Sequence, residues 1–218
     1  MSVVRTSAPA RRQLAVRVGG AAWVLIALYF LAEVVTARAW PRPYRVRTNS
    51  VSNLGVTGCD GSAATRLCSP LHTVINSAFV LTGVLILVGA VCLREFLPPG
   101  LLRRVALALF GVAAVSAALT GVVPIDVDAH LHQVVATPTF VARNAAMIVV
   151  AIGLYGRWRV FALWTGLCCL VGIVGMAAIL LREGPFGITE RLALYPFTVW
   201  VVTAGFSALR ARAPFWLL

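Results

Sequence analysis

Residues 71–93 read LHTVINSAFVLTGVLILVGAVCL, an apolar run without a single Asp, Glu, Lys or Arg. About 20 such residues, rising 1.5 Å each, cover the ~30 Å hydrocarbon core of a bilayer. A helix is the form in which such a run satisfies its own backbone hydrogen bonds there. Five further runs are similarly long and apolar, with Glu33 and Arg143 their only charged residues: Val18 to Ala37, Val105 to Val123, Val134 to Leu154, Val160 to Leu181 and Leu192 to Leu209. With Leu71 to Leu93 they predict an all-α, polytopic integral membrane protein of six transmembrane helices in three hairpins. A soluble helical bundle is excluded by composition, with 60% hydrophobic and 12% charged residues.

The formal net charge of +12 would suggest a nucleic-acid partner in a soluble chain. Here the 19 basic residues are all Arg and fall mainly in the termini and loops, which is a topology signal and argues against nucleic acid. With the N-terminus inside, the inner segments hold Arg5, Arg11, Arg12, Arg17, Arg94, Arg103, Arg104, Arg157, Arg159, Arg210 and Arg212, with Glu95 as their only acid. The outer segments hold Arg38, Arg42, Arg45, Arg47, Arg66, Arg182 and Arg191 together with Glu33, Asp60, Asp126, Asp128, Glu183 and Glu190. The bias predicts N-in, C-in. Residues 1–17 then form a cytoplasmic tail, 18–209 a single transmembrane domain with an outer loop at about 38–70, and 210–218 a second cytoplasmic tail. Arg11-Arg12 ahead of an apolar run imitates a twin-arginine signal, but that run exceeds a signal h-region and reads as a retained first helix.

Cys59 and Cys68 flank a short stretch of the outer loop and are expected to form a disulfide on the oxidising side. Two cysteines without a nearby second pair make a zinc site the weaker alternative. Small residues Gly111, Ala114, Ala118 and Gly121 recur at helical spacing in the third run, and Gly172 and Gly175 in the fifth, as surfaces for close helix packing. Trp40, Trp158, Trp164, Trp200 and Trp216 are read as an interfacial belt, and Ser69-Pro70 as the cap and first position of the second helix.

Polar residues gather at the outer mouths of the helices. Glu33 ends the first run, His72 and Asn76 begin the second, His130 and His132 precede the fourth, and Glu190 and Arg191 precede the sixth. Together with Asn49, Ser52, Asp126 and Arg143 they define a candidate outer polar pocket: Glu33, Asn49, Ser52, His72, Asn76, Asp126, His132, Arg143, Glu190 and Arg191. His130 and His132 would point apart on a helix, whereas an extended segment could turn both to one face.

Several of these residues carry a resemblance. Tyr44, the run Thr48 to Gly55, Cys68-Ser69-Pro70-Leu71-His72 and Asn76 to Val80 resemble the first loop and second helix of a bacterial membrane family, domain of unknown function 998. Pro124 to Asp128 with His132, and Gly187 to Leu192 with Tyr195-Pro196 and Trp200, resemble its later motifs. The resemblance implies a six-helix fold in a bacterial plasma membrane and implies no activity. Asn53 stands where the family commonly carries Asp, and Arg143 where a small residue is usual.

Arg143 falls near the middle of the fourth run, where insertion scales place an Arg about 2.5 to 3.5 kcal/mol uphill. Glu33 is its nearest expected acid, with Asn76 as a neighbour. The leading functional expectation is a pocket that binds a lipid head group, a small polar ligand or another membrane protein, with membrane lipids as the first partners. No cofactor is fixed by the sequence. Zinc held by His72 and His132 with Asp126 or Glu190, Asp126 being the first choice, would instead make a metal-assisted hydrolase or transferase of a membrane lipid. A metal-free enzyme would use Ser52 or Ser69 as nucleophile and His72 or His132 as base, although no elbow motif surrounds either serine. A transporter is the further alternative; it lacks a matched pair of broken helices.

Overall fold

The computed structural model describes residues 7–41, 43–58 and 69–210. Seven α-helices account for six membrane-length spans: α1 (Ser7–Leu25), α2 (Leu28–Arg38), α3 (His72–Cys92), α4 (Leu101–Val122), α5 (Ala129–Leu154), α6 (Arg159–Leu181) and α7 (Phe186–Arg210). Helices α1 and α2 form one span, Ala10–Arg38, tightened at Ile26-Ala27 where i+3→i bonds run from Ala27 to Val24 and from Tyr29 to Ile26. Each span packs on its neighbours in sequence, and the first closes on the last. The result is a ring of six spans.

The side of the ring facing outward is apolar in every span, with Leu81, Val84, Val112, Val115, Leu167, Leu170 and Val174 all exposed. Such a continuous surface is what a hydrocarbon solvent requires and water would not tolerate. Inside, Trp23, Phe110, Phe197 and Trp200 form an aromatic centre. The Trp200 and Phe110 rings stack at 6.1 Å, and Trp200 Nε1 donates to Thr165 Oγ1 at 2.8 Å. Trp200 is therefore core, which corrects its place in the expected belt.

Close helix approach follows the small residues only in part. A Cβ on Gly83 would come within 2.3 Å of the Ala114 carbonyl, and one on Gly121 within 2.3 Å of the Asn76 carbonyl, so α3 and α4 meet backbone to backbone. Gly175 does the same against α7, whereas Gly111 faces open space and drops out of the expected stripe. Pro138, inside α5, has no N–H to donate to the Val134 carbonyl one turn back. In the same turn the Ser116 hydroxyl of α4 donates to the Val135 carbonyl.

Boundaries differ from the expected ones where polar residues enter the helices. α1 starts at Ser7, inside the expected tail, α5 starts at Ala129 and α7 at Phe186. Asp128 supplies the missed signal for α5, because its side chain accepts from the Leu131 N–H as an N-cap. On that helix His130 is exposed and His132 buried, the divergence that i, i+2 spacing imposes. Ser69 does not cap α3; its hydroxyl donates to the Leu54 carbonyl.

Candidate functional site

The segment 43–58 lies across one end of the bundle, held by a buried Arg. Arg191, one turn into α7, pairs with Glu33 at 2.8 Å, and both side chains are more than nine-tenths buried. Its remaining donors reach the carbonyls of Val46 (3.0 Å), Asn49 (3.0 Å) and Gly187 (2.7 Å) and the Tyr44 hydroxyl (2.6 Å). The Tyr195 hydroxyl donates to the other Glu33 oxygen. The planar fork of a guanidinium suits this many acceptors in fixed directions. Burial pushes the Tyr44 phenol up to about 12 although Arg191 opposes the shift, so the hydroxyl keeps its proton and donates to the Ser50 carbonyl at 2.7 Å.

The fit depends on Gly187, where a Cβ would come within 2.4 Å of the Val46 carbonyl and 2.5 Å of the Asn49 carbonyl. Gly187→Ala is expected to lift segment 43–50 off α7 and lower stability by about 1 to 3 kcal/mol, the usual cost of overpacking. A thermal melt of the purified variant measures it, and an unchanged midpoint would contradict the close approach.

Beyond Ser50 the chain forms a 3-10 turn, Val51–Gly55, fixed at every corner. Ser50 and Asn53 exchange a capping box, each side chain accepting the other's N–H, a role an Asp at 53 would fill equally well. The Val51 N–H donates to Glu190 Oε2 at 2.6 Å, and Asn76 Nδ2 donates to the Gly55 carbonyl at 2.9 Å. Asp126 Oδ2 then accepts from the N–H of Thr57 (2.9 Å), the N–H of Gly58 (2.8 Å) and the Thr57 hydroxyl.

Partial burial works to raise the Asp126 carboxyl, but those donors outweigh it and hold the group below its ordinary value. A carboxyl depressed in the folded state stabilises fully above its unfolded pKa of about 3.9 and loses that contribution as pH falls through the lower folded value. Melting midpoints recorded from neutral pH down to about pH 3 should therefore fall more steeply for the wild type than for Asp126→Asn. Parallel curves would show that the attachment does not depend on the charge.

Beneath this loop lies a cavity of about 510 Å³, walled mostly by apolar side chains including Phe79, Ile125, Phe140, Met176, Ile179 and Leu194. Its polar lining includes Tyr29, Ser52, His132, Arg143 and Glu190. Arg143 is 5% exposed, its Nε has no hydrogen-bond partner, and its guanidinium lies 5.0 Å from the Phe197 ring centre. A cation–π contact contributes about 0.5 to 2 kcal/mol, less than the cost of an Arg at membrane depth. The Tyr29 hydroxyl, in electrostatic reach of Arg143 and Glu190, is also buried without a partner. Glu190 has no ion-pair partner among the described residues.

The candidate residues thus divide. Glu33, Arg191 and the Asn49 backbone form the clasp; Asn76 and Asp126 pin the loop; Ser52, His132, Arg143 and Glu190 share the cavity. His72 stands apart, its Nδ1 against the Ser69 carbonyl at 2.9 Å. Glu33 is taken by Arg191 and Asn76 by Gly55, so neither serves Arg143 as expected. Among the described residues no three His, Cys, Asp or Glu side chains come together as a metal ligand set, so His72, His132 and Asp126 do not converge. The expected Cys59–Cys68 disulfide lies outside the described residues; Cys92, Cys168 and Cys169 are free thiols. Tyr29 was not legible as a site residue, because an aromatic inside an apolar run reads as core. Tyr44 and Tyr195 stood in recognisable motifs without a role.

A ring of membrane-length helices enclosing a largely apolar cavity with a buried Arg defines a multi-pass helical membrane protein with an internal cavity. Residues 8–207 match a family described as "Protein of unknown function (DUF998)", and the chain belongs to that family. No curated protein and no solved structure shows significant similarity to it.

Proposed function

We propose that the protein binds a membrane lipid in this cavity, with the head group's acidic moiety against Arg143 and Tyr29 and a hydroxyl or ammonium donor of the head group against Glu190. The observation that carries the reading is Arg143, a cation nine-tenths buried, without a hydrogen bond to any described residue, in the wall of a cavity whose surface is mainly apolar. Two unpaired donors call for an acceptor, and an acidic oxygen is the strongest one available. The apolar walls suit acyl chains. Val141, Leu180 and Phe186 line the cavity and are also exposed on the outside of the bundle, which gives the ligand a lateral entry from the bilayer. The Arg bias supports a site at the extracytoplasmic face with both termini inside, and the family resemblance supports a bacterial plasma membrane.

Delipidated protein in a neutral detergent tests the reading. Phosphatidylglycerol, which offers a phosphate and hydroxyl donors, is expected to raise the melting midpoint by about 5 to 10 °C at saturation. Diacylglycerol, with the same chains and no acidic group, should not. An equal shift from both, or none from phosphatidylglycerol, would overturn the proposal.

A further inference from the structure

The Ser52 hydroxyl and the His132 ring meet in the cavity wall, with Oγ and Nε2 3.0 Å apart, although 80 residues separate them in the chain. The other ring nitrogen, Nδ1, lies 2.6 Å from the Val123 carbonyl. A carbonyl only accepts, so Nδ1 carries the ring hydrogen. In the neutral ring Nε2 is then the acceptor, and the hydrogen on Ser52 Oγ points at it. This is the arrangement of a nucleophile facing a base whose tautomer is fixed by a third group.

Both partners are held from behind. Ser52 sits on the 3-10 turn that Glu190, Asn76, Ser69 and the Ser50–Asn53 capping box fix. His132 is in the first turn of α5, one turn after its Asp128 cap. The hydroxyl borders the same apolar space as Arg143, so a lipid anchored by its acidic group would have its linkages within that space.

We propose that Ser52 and His132 cleave a carboxylic ester of the lipid bound in the cavity; the proposal rests on the binding reading above. Ser52 Oγ attacks the ester carbonyl carbon as its proton passes to His132 Nε2. The carbonyl π bond opens to a tetrahedral centre. On collapse the bond to the alcohol oxygen breaks, and that oxygen leaves with the proton from His132. Water then attacks the acyl-serine and gives its proton to His132. The fatty acid departs, and the proton returns to Ser52. One ester and one water become one acid and one alcohol.

A long-chain alkyl fluorophosphonate applied to the intact protein in detergent micelles is the direct probe, since Ser52 would form the Oγ–P bond and expel fluoride. Stoichiometric labelling is expected, with the modified peptide mapping to Ser52 in the wild type. His132→Gln, which keeps the serine and removes the base, should label at least 100-fold more slowly. Phosphatidylglycerol in the same micelles should release fatty acid with wild-type protein and not with Ser52→Ala. Absence of label, label on another residue, or equal rates in His132→Gln would overturn the inference. The phosphatidylglycerol melting shift of the wild type is read in parallel. If that shift persists without labelling, catalysis alone falls; if the shift is absent, the binding reading falls first.

Discussion

Replacing Arg191 with Met is expected to cost about 3 to 5 kcal/mol, because the change leaves the Glu33 carboxyl buried with no cation beside it. The loss has two parts. Glu33 keeps only the Tyr195 hydroxyl, and the carbonyls of Val46, Asn49 and Gly187 lose the Arg191 guanidinium, Asn49 keeping the Tyr44 hydroxyl. Loop 43–58 should come loose at the same time, exposing the Val51 and Leu54 side chains that are fully buried beneath it. Denaturation monitored in micelles gives the energy, and limited proteolysis reports the loop. The double change Glu33→Gln with Arg191→Met should cost clearly less than the two single changes summed, since two partners removed together leave no stranded charge. Additive costs would mean that the pair is not coupled.

Arg143→Leu is expected to do the opposite in the absence of lipid. Arg143 has no acid to strand, and among the described residues its charge is compensated by the Phe197 face alone. Leucine should therefore stabilise delipidated protein by about 1 to 3 kcal/mol, within the cost assigned to a central membrane Arg. The same change should weaken phosphatidylglycerol binding at least tenfold by removing the charge-assisted donor. A residue that gains stability when replaced and loses ligand at the same time is held for function rather than for folding. Destabilisation by Leu with undiminished lipid binding would assign Arg143 to the fold.

The spans were legible because each is a local property of an uninterrupted apolar run, and hydrocarbon permits few backbone solutions. Ends were less legible. Glu190 and Arg191 look like loop residues in a linear reading, yet they lie a turn inside α7, where the clasp and the Val51 N–H compensate them. The polar mouths were recognisable as a group, but not their pairing. Whether Glu33 meets Arg143 or Arg191 depends on how α2, α5 and α7 rotate in the ring, and no spacing within a single helix encodes that. The Ser52–His132 contact is of the same kind, joining a loop turn to α5 across 80 residues. Trp200 shows the limit on the apolar side. Its position near a predicted interface suggested the belt, while packing against Phe110 and Trp23 buries it in the centre.

The most direct measurement is an experimental density map of the protein reconstituted in lipid nanodiscs containing phosphatidylglycerol. The account predicts an elongated density in the cavity, its compact end within hydrogen-bond distance of the Arg143 guanidinium and the Tyr29 hydroxyl, its tails running toward Val141 and Leu180. A cavity holding only water, or one closed by Arg143 pairing directly with Glu190, would contradict it.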